Sequence, residues 1–281
     1  MKATQNARER ARAQLTREIK EEARRQVAAG GAQQLSLRAV ARELGMVSSA
    51  LYRYYPSRDE LLTALIIDAY DSLGAAAEAA VAGAGVAEAG AGVAEAAVAG
   101  AAVAEAEAAV AGDAAAGDGT ASVRERWRAG CRAVRDWAKA RPHEYALIYG
   151  SPVPGYEAPP QTVAPASRIP VVIGGLLAEV WKDAPPPSEN QTGQDQPGQD
   201  QAAKDLPALP GRLAAQAEIV AAAIAPGVPL PVIANALIAW TQLFGMISFE
   251  LFGQLVGSAD PADDFFGYAV EQMANLVGLP G

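Results

Sequence analysis

One cysteine, Cys131, and one histidine, His143, are the whole supply of thiol and imidazole in this 281-residue chain. That supply cannot build a Cys/His zinc cluster or an internal disulfide, and a reducing, cytoplasmic setting is expected. Nor do the two carry a flanking nucleophile signature, so Cys131 reads as a small buried hydrophobe and His143 as part of the Arg141-Pro142 junction. The chain is expected to be no enzyme and to need no cofactor or metal. A different chemistry is concentrated between residues 36 and 58. Ser48, Ser49, Arg53 and Tyr54 are left over once the apolar positions around them are assigned to a core. Aromatic rings stand at 52, 54 and 55, more than so short an element needs for packing. Tyrosine hydroxyls reach phosphate oxygens while their rings brace the sugar edge.

The elements that must position these groups follow from periodicity. A helix is expected from about 6 to 29, with Leu15, Ile19, Ala23 and Val27 on one stripe, stopped by Gly30-Gly31. Ser36 caps a second helix that runs through Leu44, Gly45 makes a turn, and a third helix covers 48–54. Pro56 closes it, and Ser57 caps a fourth, with Glu60 in the reciprocal position of a capping box and Leu61, Leu62, Leu65, Ile66 and Ala69 facing inward. Leu37, Val40, Ala41 and Leu44 would pack against Leu51 and the first helix. A helix, a glycine turn and a second short helix make the supersecondary unit that reads DNA. The same pattern also suits a small three-helix core with surface tyrosines.

Charge supports nucleic-acid contact. Residues 1–60 carry twelve Lys/Arg against seven Asp/Glu, while the rest carries eleven against twenty-five, within a net charge of −9. A basic module on an acidic body suits local contact with DNA better than coating it.

Residues 12–70 resemble the TetR family of bacterial transcriptional regulators. The resemblance is carried by Leu35-Ser36-Leu37-Arg38-Ala39-Val40-Ala41-Arg42-Glu43-Leu44-Gly45 and by Ala50-Leu51-Tyr52-Arg53-Tyr54-Tyr55-Pro56-Ser57-Arg58-Asp59-Glu60-Leu61-Leu62. It implies that Ser36 caps the second helix and donates to a phosphate, and that Arg38 points to the backbone or groove edge. Ser48, Ser49 and Ala50 would face base edges, with Ala50 against a thymine methyl. Arg53 would lie on the same exposed surface, Tyr52, Tyr54 and Arg58 would grip phosphates, and Tyr55 would pack beneath the third helix. Val47 departs from the family, which often has a capping Ser or Thr there; Ser48 is expected to take the cap and shift the helix start by one residue.

Beyond the head, 74–119 is an Ala/Gly/Val/Glu segment, read as a partly helical, poorly ordered low-complexity insertion. Residues 183–207, rich in Pro, Gln, Asp and Gly, are expected to be disordered. Helices are expected at Val123–Ala140, from Pro142 through Tyr149, at Ile169–Trp181, about 212–224, Val232–Gln254 and Ala262–Leu276. The fold class is all-α, with a head at 1–60 and a helical effector-binding and dimerisation body at 61–281. The stretch from His143 to Tyr156 looks like a C-terminal domain type in one branch of the same family, and 121–181 and 212–278 follow it more loosely. That branch implies a small effector and a homodimer.

A pocket for an apolar or aromatic effector would draw on Trp127, Cys131, Trp137, Tyr145, Tyr149, Trp181, Trp240, Phe244, Met246 and Phe249, and the same ten suit plain helix packing. The span Ile219–Phe249 holds no charged residue, long enough for a membrane helix. Pro226, Pro229 and Pro231 break it, and polar residues punctuate the rest. A subunit interface is the preferred explanation, with Ala234, Ala239, Gly245 and Gly253 allowing close approach and Leu243, Phe252, Phe265 and Met273 supplying area.

The expected function is a ligand-responsive homodimeric repressor on a palindromic operator in double-stranded DNA. The alternatives are a regulator without an effector, set by a protein partner or by abundance, and a helical scaffold with a vestigial head.

Overall fold

Nothing but helix is formed among the described residues, because alanine and straight-chain residues dominate and glycine and proline fall mainly at the joints. The computed structural model describes residues 2–98, 121–182 and 207–281. Along the chain lie α1 (Lys2–Gly30), a 3-10 turn (Ala32–Gln34), α2 (Leu37–Glu43), α3 (Ser48–Leu51), α4 (Arg58–Val98), α5 (Val123–Ala140) and α6 (Pro142–Tyr149). After them come a second 3-10 turn (Pro160–Thr162), α7 (Val163–Ala166), α8 (Arg168–Trp181), α9 (Gly211–Ile224), α10 (Leu230–Leu251) and α11 (Asp263–Leu276). Most joints fall where sequence places them. The segment 99–120 and nearly all of 183–207 lie outside the described residues.

Both ends of the third helix differ from expectation. The third helix ends at Leu51 rather than at 54, and continues as tighter turns in which Arg53 N–H donates to Ala50 O and Tyr54 N–H to Leu51 O. Its cap position is held by Val47, whose side chain makes no capping bond, so Ser48 is the first helical residue and does not take over the cap. The fourth helix runs on through part of the low-complexity stretch to Val98, as a partly helical reading of 74–119 implies, since alanine there offsets its glycines. Another difference sits at the end of α10. Gly253 lies beyond the helix at φ 75°, where Gln254 N–H turns back to Phe249 O at 2.8 Å. A left-handed residue after the last turn is where glycine is favoured.

The chain divides into two compact units. One contains Met1–Ala75, Arg135–Ile169 and Phe244–Leu255. Its core gathers Ile19, Ala23 and Val27 from α1, Leu37, Val40 and Ala41 from α2, Leu51 from α3, and Leu61, Leu62, Leu65 and Ile66 from α4. Each large aliphatic side chain buried this way contributes about 1.5–3 kcal/mol. Asp68 on α4 receives Lys20 at 2.7 Å and Arg24 at 2.6 Å, fixing the register of α1 along it. In the same unit Arg135 and Glu250 form a two-pronged ion pair, 2.7 Å on each prong.

The other unit contains Ala76–Val134, Pro170–Leu243 and Val256–Gly281. Its core includes Trp127, Cys131, Leu176, Leu177, Trp181, Val232, Ile233, Leu243, Phe266, Val270 and Met273. Trp127 Nε1 donates to Val270 O at 3.1 Å, and Arg124 and Arg128 both grip Glu271, joining α5 to α11. Gly174 lets α8 approach α9 so closely that a Cβ there would overlap the Ile224 carbonyl.

Among the described residues α10 is a helix long and apolar enough to cross a membrane, but half of its apolar window is buried inside the protein. Burial on that scale is what the core helix of a helical bundle requires. A bent pair, Pro160–Ala166 with Arg168–Trp181, passes the same test only when counted as one span.

Candidate functional site

The helix-turn-helix is assembled by short local contacts. Gly31, at φ 77°, turns the chain out of α1. Ser36 Oγ accepts the Ala39 N–H at 3.5 Å and starts α2. Gly45, at φ 65°, reverses the chain, and Met46 N–H closes on Ala41 O at 2.8 Å. Glycine is needed at both because other side chains are strained at positive φ. Leu51 is fully buried and Tyr55 nearly so, which anchors α3 and leaves its opposite edge outward.

On that edge Ser49, Tyr52 and Arg53 are exposed, with Ser48, Ala50 and Tyr54 half-buried beside them. Arg38 is exposed on α2, and Ser36 is half-buried at its start. Arg12 of α1 stands 5.8 Å above the Tyr54 ring, a cation held against an aromatic face. Arg58 is engaged otherwise. Its Nη2 donates to Ala32 O at 2.8 Å, its Nε to Leu35 O at 3.2 Å, and its Nη1 to Asp59 at 3.3 Å. Two of its five N–H bonds thus clasp the α1–α2 connection, a third goes to Asp59 on α4, and two remain for another partner.

The ten pocket candidates are split between the two units. Tyr145, Tyr149 and Phe244 form one aromatic stack, with Tyr149 and Phe244 centroids 4.1 Å apart. Tyr145 is fully buried, and its hydroxyl donates to Phe244 O at 2.9 Å. Trp137, buried nearby in sequence on α5, donates to Ser72 Oγ at 2.9 Å. Met246 is buried and Phe249 exposed. In the other unit Trp127, Cys131 and Trp181 are core residues, and Trp240 is half-buried. Burial pushes the Cys131 thiol well above its usual range, which leaves it unreactive. A cavity of about 740 Å³ in the first unit has Tyr149 on its wall, and it is otherwise lined by residues outside the ten.

Two families cover most of the described chain. Residues 19–65 match the family described as bacterial regulatory proteins, tetR family, and residues 127–273 match the tetracyclin repressor-like C-terminal domain. The chain belongs to the TetR family.

The HTH-type transcriptional regulators Rv1816 of Mycobacterium tuberculosis and Mb1846 of Mycobacterium bovis are each 40% identical to it over 164 residues. That match takes in 57% of this chain and 54% of each relative, so the chain spans about half the length of the curated relatives it matches. Among solved structures, the crystal structure of SCO4313, described as a regulatory protein, aligns at a TM-score of 0.63 and 28% identity over 95% of this chain and 98% of that one. A protein of unknown function from Rhodococcus sp. RHA1 shares the fold, with a TM-score of 0.53 and 23% identity over 95% and 96%.

In this TetR-family chain the interface candidates also fall in different surroundings. Ala239, Leu243 and Met273 are buried against the chain's own core, whereas Phe252 and Phe265 are exposed. Ala234 is half-buried, Gly245 and Gly253 are exposed, and nothing lies within 4 Å of where a Cβ on either glycine would stand. Three exposed apolar residues escaped the sequence reading: Ile238 on α10, and Tyr268 and Leu276 on α11. With Gln242 and Phe265 they line a shallow groove of about 380 Å³. Only Tyr268 offered a signal, as a large aromatic in the helix expected at Ala262–Leu276.

Proposed function

We propose that this chain is a homodimeric, ligand-responsive transcriptional repressor that binds a palindromic operator in cytoplasmic DNA. The observation that carries the reading is the outward edge of α3. With the tighter turns that continue it, this edge presents two hydroxyls and a guanidinium, at Ser49, Tyr52 and Arg53, pinned from behind by Leu51. Such a short rigid helix suits the major groove, with Ser48, Ser49 and Ala50 at base edges. Ser36, Arg38, Tyr52 and Tyr54 would take phosphates, and the two remaining N–H bonds of Arg58 can take one more. The head at 1–60 would read one half-site per subunit, and the body at 61–281 would dimerise and hold the effector.

The groove at Ile238, Gln242, Phe265, Tyr268 and Leu276 is the surface we assign to the two-fold contact, since four neighbouring exposed apolar side chains on a monomer call for a cover. The regulator without an effector is favoured by one observation: Trp127, Cys131 and Trp181 fill the core of their unit rather than lining a space.

Selection from random duplex DNA tests the reading. It should enrich a two-fold symmetric sequence, and affinity should fall steeply with added salt because phosphate contacts release counterions. Failure to enrich any duplex would leave the helical scaffold as the better description.

A further inference from the structure

We propose that the cavity at the base of α1 is an effector site for an uncharged aromatic molecule carrying a hydroxyl or amide donor. All of its lining lies in the first unit. One wall is the end of α1 and the turn after it, at Ala28, Gly30, Gly31 and Gln33, and the facing wall is α6 and its exit, at Ala146, Tyr149 and Ser151. Ser248 and Phe252 complete it from the end of α10. The volume of about 740 Å³ falls within the range of small-molecule sites.

The lining sets the class of ligand. No Asp, Glu, Lys or Arg borders the space; its two titratable groups are His143, which is exposed, and Tyr149, held protonated because burial pushes its hydroxyl far up. An ion entering this space would lose water without finding a carboxylate, lysine or arginine to pair with. The Tyr149 ring, stacked on Phe244 and packed against Tyr145 and Tyr70, brings an aromatic surface to the wall. Ser248 supplies the polar handle. The Tyr145 hydroxyl spends its proton on Phe244 O, so the Ser248 hydroxyl, 2.8 Å away, donates to Tyr145. Its lone pairs then accept from a ligand.

Position gives the site its consequence. The wall formed by 30–33 continues into the segment that Arg58 clasps at Ala32 O and Leu35 O, and Ser36, the next residue, caps α2. A ligand between α6 and this wall bears on the connection that sets where α2 and α3 stand. The consequence for DNA rests on the repressor reading, whereas the site itself does not.

The probe is Nile red, an uncharged aromatic dye, titrated by fluorescence into the full chain, with an anionic naphthalene sulfonate dye in parallel. Saturable Nile red binding at one per chain is expected. It should weaken tenfold or more in Ala28→Trp and in Ser151→Trp, both at exposed lining positions where an added ring fills the space without disturbing the core. Amide exchange at 30–37 should slow when the dye binds. No saturable binding, or native affinity in both variants, overturns the site. Equal affinity for the anionic dye with the same sensitivity to both variants overturns the ligand class, and unchanged exchange at 30–37 overturns the coupling. Failure to select a duplex removes the repressor reading and leaves the dye results to decide the site.

Discussion

A hydroxyl at Tyr52 and a guanidinium at Arg58 sit six residues apart and do different work. Tyr52 is 41% exposed at the edge of the reading helix, so Tyr52→Phe should leave the melting temperature unchanged while weakening operator binding by about 1 kcal/mol, the usual cost of one hydrogen bond. Fluorescence anisotropy on the selected duplex measures it, and unaltered affinity would remove Tyr52 from the contact set. Arg58→Ala should instead destabilise the fold by about 1–3 kcal/mol, because the carbonyls of Ala32 and Leu35 lose their shared donor. Lysine cannot replace a planar fork across two acceptors, so Arg58→Lys should recover little of it in urea unfolding. Glu271 shows the same dependence on geometry. Hydrogen bonding from Arg128, and then from Arg124, holds its carboxyl down at about 2, below its ordinary 4.5. A folded-state value below the unfolded one means the contribution is complete above about pH 4.5 and is lost as pH falls toward 2. It is on the order of 1 kcal/mol or less, since solvent reaches the pair. Glu271→Gln should therefore flatten the acid limb of stability between those values, and an identical limb would discard the pairing.

At the scale of elements, two adjacent glycines in α8 make a controlled comparison. Gly174 faces the Ile224 carbonyl of α9, and Gly175 has nothing within 4 Å. Gly174→Ala should cost roughly 1–3 kcal/mol by forcing the helices apart. Gly175→Ala should be neutral or should stabilise by up to about 1 kcal/mol through helix propensity. Equal midpoints in urea for the two variants would mean that the crossing is not set by close approach. The joints of the helix-turn-helix were legible because each rests on one or two residues of special chemistry, such as Gly31, Ser36, Gly45 and Ser57. The short extent of α3 was not, since 52–54 continue its hydrogen bonding in a tighter turn that composition does not distinguish.

For the whole molecule, the prediction concerns assembly. Tyr268 is 65% exposed and forms no part of its own chain's core, so Tyr268→Arg should fold normally yet carry an unpaired charge into a two-fold contact. An obligate interface should bury more than roughly 2,000 Å² in total. Sedimentation at micromolar concentration should find the native chain dimeric and the variant monomeric, with binding to paired half-sites lost. A native monomer would remove both the interface and the palindrome.

The helical class, most helix boundaries, the basic head and the family resemblance could be read from residues in order, because period, capping and charge are local properties. The roles of apolar residues on α10 could not. Nearly every face of that helix is apolar, so one-dimensional pattern does not separate Ala239 and Leu243, which close onto the core, from Ile238, which faces out. Gly253 read as a small residue for close packing, yet its positive φ makes it the stop of the helix. The cavity beside Tyr149 is built from segments roughly a hundred residues apart, with backbone and alanine forming much of its wall. Only packing brings such residues together, since nothing in their chemistry marks them while the chain is extended.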